Sequence, residues 1–143
     1  MSQAGDERAS NKELVLRFLD RAHALDVEAM AECWAEECVR YGPRPSSPMA
    51  EPTRGRDELI RQIPGHVTLY TPGTLAMELE HIVAEGSYVA VQFVLRATTA
   101  HGEPYENYYH HLFECRDGRI TAYWEYVDTQ YAQRMLFDPI DHS

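Results

Sequence analysis

Past Pro72-Gly73 the chain offers four long runs that suit extended backbone, joined by connections of only a few residues. Leu75 to Ala84 alternates roughly and is turned by Glu85-Gly86, and Tyr88 to Thr99 is rich in Val, Phe and Thr. His101-Gly102 turns the chain again into PYENYYHHLFECRDGRITAYWEYVD, two runs about one turn signal at Arg116-Asp117-Gly118. Consecutive strands with short loops can pair only with their neighbours, so this half is expected to form an antiparallel meander.

The first half reads differently. Leu14, Val15, Phe18, Leu19, Ala22 and Leu25 keep helical spacing, with Ser10 or Asn11 as a cap. Asp26 suits the cap of a second, short helix through Met30, Cys33 and Trp34. Val39 to Tyr41 fits a short strand. Gly42-Pro43, Pro45, Ser46, Ser47, Pro48 and Pro52 then exclude regular structure and predict a surface loop, either a plain connector or a lid. Gly55 opens a third helix expected to end at Pro64-Gly65, and Gln130 to Leu136 suggests a closing helix. Helices first and a curved antiparallel sheet after give an α+β fold, with a cone-shaped cavity where the helices cross the sheet. The division expected is a disordered lead-in over 1–10, one domain over 11–136 and a tail over 137–143.

A chain of 143 residues suits one core. Its formal charge of −10, from 13 basic and 23 acidic side chains, argues against a nucleic-acid partner. Its apolar runs are too short to span a bilayer. The polar, acidic N-terminus lacks a signal-peptide pattern, which points to a cytoplasmic location. Cys33, Cys38 and Cys115 fit no zinc or CxxC spacing and read as free thiols in partly buried positions. No glycine-rich nucleotide loop is present, so no cofactor is expected.

The last hairpin carries the chemistry. Asn, His, Tyr and Glu stand where a structural strand would hold Val, Ile or Leu. Register decides which of them face inward. A two-residue Asp117-Gly118 turn would set His111 opposite Trp124. A three-residue loop would set His111 opposite Tyr123 and Tyr109 opposite Glu125, with Asn107, Tyr109, His111, Phe113, Tyr123, Glu125 and Val127 on one face.

The order of elements, the GRDEL stretch, the Tyr105-to-Ile120 run and the terminal Trp124-Glu125-Tyr126-Val127-Asp128 together resemble the SnoaL-like branch of the NTF2-like superfamily, from about Asn11 to Leu136. Tyr105-Glu106-Asn107, His111 before Phe113-Glu114, Asp117-Gly118-Arg119-Ile120 and Glu125 are locally most similar to phenazine-biosynthesis A/B proteins. That resemblance implies an acid/base role for Glu125. It also favours the three-residue loop. The ketosteroid isomerase positions are Phe18, Gly42 and His111 here, which argues against steroid isomerisation. Gln92-Phe93-Val94 stands where limonene epoxide hydrolases need an Arg-x-Asp, and the helix histidine of the phenazine proteins is replaced near Gln62.

On this reading Glu125 and His111 are the catalytic pair, diagonal neighbours on adjacent strands. Burial is expected to raise the Glu125 pKa toward neutrality. Tyr109 and Tyr123 would donate hydrogen bonds to substrate, with Asn107, His81, Trp34 and Tyr41 as further substrate-binding residues. Adjacent strand residues point to opposite faces, so His110 and His111 cannot share a metal, and no metal is expected. The other face, with Tyr108, Leu112, Trp124 and Tyr126, has the composition of a homodimer interface. The reading is an acid/base isomerase, cyclase or condensation enzyme for a small hydrophobic biosynthetic intermediate. Two alternatives stand beside it. One is a non-catalytic binding domain of the same fold. The other is an epoxide hydrolase or epoxide-opening cyclase, for which Asp128 would have to turn inward as a second acid.

Overall fold

In the computed structural model, which describes residues 3–43 and 51–138, the six strands form one sheet in the order β2-β1-β6-β5-β4-β3. The strands are β1 (Trp34–Tyr41), β2 (Thr53–Arg54), β3 (Ala76–Glu85), β4 (Tyr88–Thr98), β5 (Pro104–Arg116) and β6 (Arg119–Val127). The last four make the expected antiparallel meander. The sheet as a whole is mixed, because β1 runs parallel to β6 and β2 antiparallel to β1. Three helices, α1 (Gln3–His23), α2 (Val27–Cys33) and α3 (Arg56–Val67), precede or interrupt the first strands, and α4 (Thr129–Ala132) runs into a π-helical turn at Gln133–Phe137.

Several local expectations change. The helix α1 starts at Gln3, not at Asn11, so residues 3–10 extend the helix instead of forming a lead-in. Residues 6–10 are exposed and include the good helix formers Glu7, Arg8 and Ala9, which need no burial to continue the turn. Asp26 caps α2 as expected, its carboxylate accepting from the Ala29 N–H at 3.2 Å. Trp34, however, leaves the helix and opens β1. The helix α3 continues through Pro64-Gly65 to Val67, and the Thr68 N–H still reaches the Pro64 carbonyl at 3.2 Å. Of the proline-rich loop, residues 44–50 lie outside the described residues, as does the tail beyond 138.

The core sits between the helices and the concave sheet. Phe18 of α1 packs edge-on or tilted against Trp34, Phe113 and Tyr123, with ring centroids 5.6 to 5.8 Å apart. Each of these rings is 5% exposed or less. Burying an aromatic side chain of this size contributes on the order of 2–3 kcal/mol.

The final hairpin takes the two-residue turn considered above, but its register at His111 matches neither expectation. Asp117 and Gly118 both take positive φ, 51° and 74°, which defines a two-residue turn of the twist that antiparallel strands need. Arg116 faces Arg119 and Cys115 faces Ile120, and then the register shifts so that Glu114 faces Ala122. Thr121 is the extra residue of this bulge, and its hydroxyl bonds the Glu114 carboxylate at 2.7 Å. The bulge restores the inward set expected from a three-residue loop. It also brings His111 directly opposite Glu125, closer than the diagonal placement.

Candidate active site

Glu125 of β6 and His111 of β5 line a cavity of about 200 Å³ bounded by α1, α3 and the sheet. Its walls are mostly apolar, from Phe18, Leu19, Ile63, Phe93 and Leu95. A second space of about 120 Å³ lies under α4 and the π-helical turn. Glu125, Tyr109, Tyr70 and His66 line both, so they stand at the junction of the two.

The residue that organises this site is Arg40, which the sequence reading passed over. In β1 the side chains of Trp34, Cys38 and Arg40 turn inward. Arg40 is 5% exposed. Its guanidinium donates to Glu125 Oε1 at 2.9 Å and to Thr53 Oγ1 and Gln62 Oε1 at 3.2 Å each. Thr53 in turn donates to Gln62 Oε1 at 2.8 Å. One buried cation thus ties β1, β2, α3 and β6 together around the carboxylate.

That pairing reverses the pKa expected for Glu125. Burial is the largest influence and pushes it up. The Arg40 charge, His111 and the Arg40 hydrogen bond together outweigh burial, and the carboxyl sits below its ordinary value. Glu125 is therefore a carboxylate at neutral pH, a proton acceptor and not a reserve acid. It keeps 22% of its side-chain surface accessible, and it lines both cavities, so the charge is enclosed without being covered.

His111 is 7% exposed, and burial pushes its pKa down to about 4 against the attraction of Glu125. Its Nε2 lies 3.6 Å from Glu125 Oε2, beyond a hydrogen bond, and neither ring nitrogen has a hydrogen-bond partner among the described residues. A neutral imidazole offers one donor and one acceptor, and here both are buried without a partner at the cavity wall. The ring is held edge-on to Phe93 at 5.1 Å, which fixes its plane without using its nitrogens.

Two further histidines border the cavity. His66 follows Leu59, Gln62 and Ile63 on one face of α3, one turn beyond Gln62. Its pKa is lowered first by burial and then by the Arg40 charge. His23 donates from Nδ1 to the Leu19 carbonyl at 2.7 Å, so its acceptor nitrogen is Nε2. Burial lowers its pKa as well.

The other expected substrate contacts divide. Tyr109, Tyr123 and Trp34 line the cavity. Trp34 and Tyr123 are core residues at its walls, and Tyr109 lines both spaces. Asn107 is 2% exposed and is not among the lining residues. Its amide is occupied by Tyr105, by the Asp128 carbonyl and by the Tyr108 N–H. Tyr41 is on the opposite face of the sheet, stacked on Trp124 at 5.2 Å and 6°. His81 is exposed and pairs with Gln92. A bulge between Leu79 and His81 shifts the inward positions of β3 from Met77 to Ile82 and Ala84, and this turns His81 outward. Asp128 caps α4, accepting from the Tyr131 N–H at 3.1 Å, and does not supply a second acid to the cavity.

A family profile described as a SnoaL-like domain matches residues 15–123. No curated protein matches the chain in sequence. Solved structures share its fold at low identity. A protein from Jannaschia sp. CCS1 assigned as a SnoaL-like polyketide cyclase superposes with a TM-score of 0.79 at 18% identity, covering 98% of both chains. An NTF2-like protein of unknown function from Burkholderia pseudomallei gives 0.75 at 21% identity, over 90% of this chain and 98% of that one. PrhC from Penicillium brasilianum gives 0.78 at 20% identity, over 90% and 87%.

Proposed function

We propose, for a chain that belongs to the SnoaL-like domain family, a cofactor-independent acid/base enzyme acting on a small hydrophobic substrate with an acidic C–H. One observation carries the reading. A carboxylate held ionised by a buried arginine presents its second oxygen to an apolar cavity, beside a neutral imidazole with no partner of its own. In water such a carboxylate is a feeble base. In this cavity it is short of solvent, and proximity to the substrate replaces basicity.

Glu125 Oε2 would take the proton, and the C–H electron pair would move toward an adjacent carbonyl oxygen as an enolate. Returning the proton at another carbon is an isomerisation. Attack by the enolate carbon on an internal electrophile is a cyclisation or condensation. His111, neutral above pH 4 or so, would orient the substrate through its N–H or relay the proton.

Exchange of α-hydrogens in D2O, followed by proton NMR with flat cyclic ketones such as 1-indanone and 2-tetralone, reads this chemistry without the natural substrate. Wild-type protein is expected to accelerate exchange, and Glu125→Gln to lower that acceleration by roughly 10²–10⁴-fold. Equal exchange by both proteins would rule out Glu125 as the base. The Glu125–Arg40 pair also suits a second reading, a binding pocket whose ion pair is structural. On that reading ketones bind and no exchange is accelerated.

The outer sheet face supports a second copy of the chain as partner. Tyr108 is 55% and Tyr126 45% exposed there, flanking the stacked Tyr41–Trp124 pair. Sedimentation equilibrium should give a dimer that Tyr126→Glu weakens at least tenfold. A monomeric wild-type protein would refute this.

A further inference from the structure

The two walls of the junction differ in kind. Glu125 brings a charge that accepts, and Tyr109 brings a hydroxyl whose hydrogen is free to go either way until its neighbours are considered. Those neighbours are a chain of hydrogen bonds running along β5. The Asn107 amide reaches Tyr105 Oη at 3.1 Å, and Tyr105 Oη lies 2.8 Å from Tyr109 Oη. Beyond Tyr109 stands the Tyr70 ring, close enough that the Tyr70 hydroxyl perturbs that of Tyr109.

The direction of this chain follows from its far end. Asn107 Oδ1 accepts from the Tyr108 N–H at 2.8 Å, a backbone group that can only donate. Asn107 Nδ2 donates to the Asp128 carbonyl at 3.2 Å, a group that can only accept. These two backbone partners assign the amide orientation. The second Nδ2 hydrogen then goes to Tyr105 Oη. An amide nitrogen accepts nothing, so the Tyr105 hydrogen cannot point back. Tyr109 Oη is the one other partner of Tyr105 Oη among the described residues, so the Tyr105 hydrogen is satisfied by pointing there. The Tyr109 hydrogen in turn cannot occupy the same bond. It goes to the cavity, or to Tyr70, which then turns its own hydrogen to the cavity.

We infer that Asn107 and Tyr105 are positioning residues that polarise Tyr109, so that the junction presents a hydroxyl hydrogen, not a lone pair, to a carbonyl oxygen of the ligand. This rests on the acid/base reading above and names the ligand class it requires, an apolar molecule with a ketone-type carbonyl. Successive donation strengthens each bond in a chain by roughly 10–30%. The donor stands opposite the place where charge develops once Glu125 has taken a proton. It is set before the ligand arrives, because both ends of the Asn107 amide are held by backbone.

Infrared difference spectroscopy with carbonyl-¹³C 1-indanone tests the assignment. The bound carbonyl band of the wild-type protein is expected to lie well to the red of its position in hexane. Tyr109→Phe should cut that shift by more than half, and the double variant Tyr70→Phe/Tyr109→Phe should abolish it. Tyr105→Phe and Asn107→Ala should each roughly halve it, with ketone affinity changed by less than about threefold, since hydroxyl polarity and not cavity shape is altered. Tyr105→Phe removes one oxygen and preserves the ring, so it remains informative if Asn107→Ala does not fold. Glu125→Gln should keep the full shift, which separates this inference from the fate of the proposed base. A band at the hexane position, a full shift retained in Tyr109→Phe or in Tyr105→Phe, or no binding of the ketone overturns it.

Discussion

Arg40→Met should destabilise the protein by about 3–5 kcal/mol at pH 7, the cost of breaking a buried ion pair from one side. The guanidinium is nearly sealed from solvent and makes three hydrogen bonds, to Glu125, Thr53 and Gln62. Methionine fills part of the volume and satisfies none of them. Burial is the largest influence on Glu125, and without Arg40 it acts with little opposition, so the carboxyl pKa moves up. The sign of the pH dependence then inverts for this group. A carboxyl whose folded pKa is raised costs nothing below its unfolded pKa of about 4.3. It costs progressively more as pH rises toward the folded value. Urea unfolding at pH 5 and pH 7 should therefore show a larger deficit for Arg40→Met at pH 7. Adding Glu125→Gln should recover a large part of it. A single variant within 1 kcal/mol of wild type at pH 7 would mean that Arg40 does not neutralise Glu125 in the folded protein.

The same residue shows where sequence reading stops. The helix-then-meander order was legible because each element carries its own period, as in Leu14, Val15, Phe18 and Leu19 on α1, or the alternating face of β5. The inward set Asn107, Tyr109, His111, Phe113, Tyr123, Glu125 and Val127 followed from alternation on each strand together with the three-residue register that the family resemblance favoured. The pairing of His111 with Glu125 did not, because a bulge at Thr121 adds one residue and leaves the alternation of each strand intact on either side. Arg40 lay hidden in a three-residue strand, where an arginine between Val39 and Tyr41 reads as the solvent-facing member. The signal available was parity with Cys38 and Trp34, which only a strand reaching back to Trp34 reveals. His66 lay beyond a Pro-Gly pair taken as the end of α3. Packing of Ile63 and Val67 against the core carries the helix past that pair. His81 failed for the reason that Glu125 succeeded, a bulge, this time one that moved the residue outward.

Acid should begin to destabilise this protein above the pH at which its carboxylates protonate, and His111 should be a principal cause. Its folded pKa of about 4 lies below its ordinary 6.5. Between those values the unfolded chain binds a proton that the folded chain refuses, so stability falls as pH falls. The full difference is worth on the order of 3 kcal/mol, since each tenfold loss of proton affinity costs about 1.4 kcal/mol. The groups that bear on this ring are Glu125 from β6, which favours its protonation, and His23 from α1, His110 from β5 and Arg40 from β1, which oppose it. Glu125 adds loss of the same sign at lower pH, since its own folded pKa is depressed and its stabilisation disappears only as it protonates. His23 and His66, also lowered, contribute in the His111 window. Replacing His111 with Phe keeps an aromatic ring beside Phe93 and Phe113 and removes the titration. The variant should match or exceed wild type at pH 4.5 and show a visibly shallower slope between pH 6.5 and 4.5. The His111 ring protons should titrate in wild-type NMR spectra with a midpoint near 4. A midpoint near 6.5 would place a charged imidazolium beside Glu125 at mildly acid pH. The pair would then be an ordinary salt bridge, and the neutral, unpartnered ring on which the proposed chemistry depends would not exist.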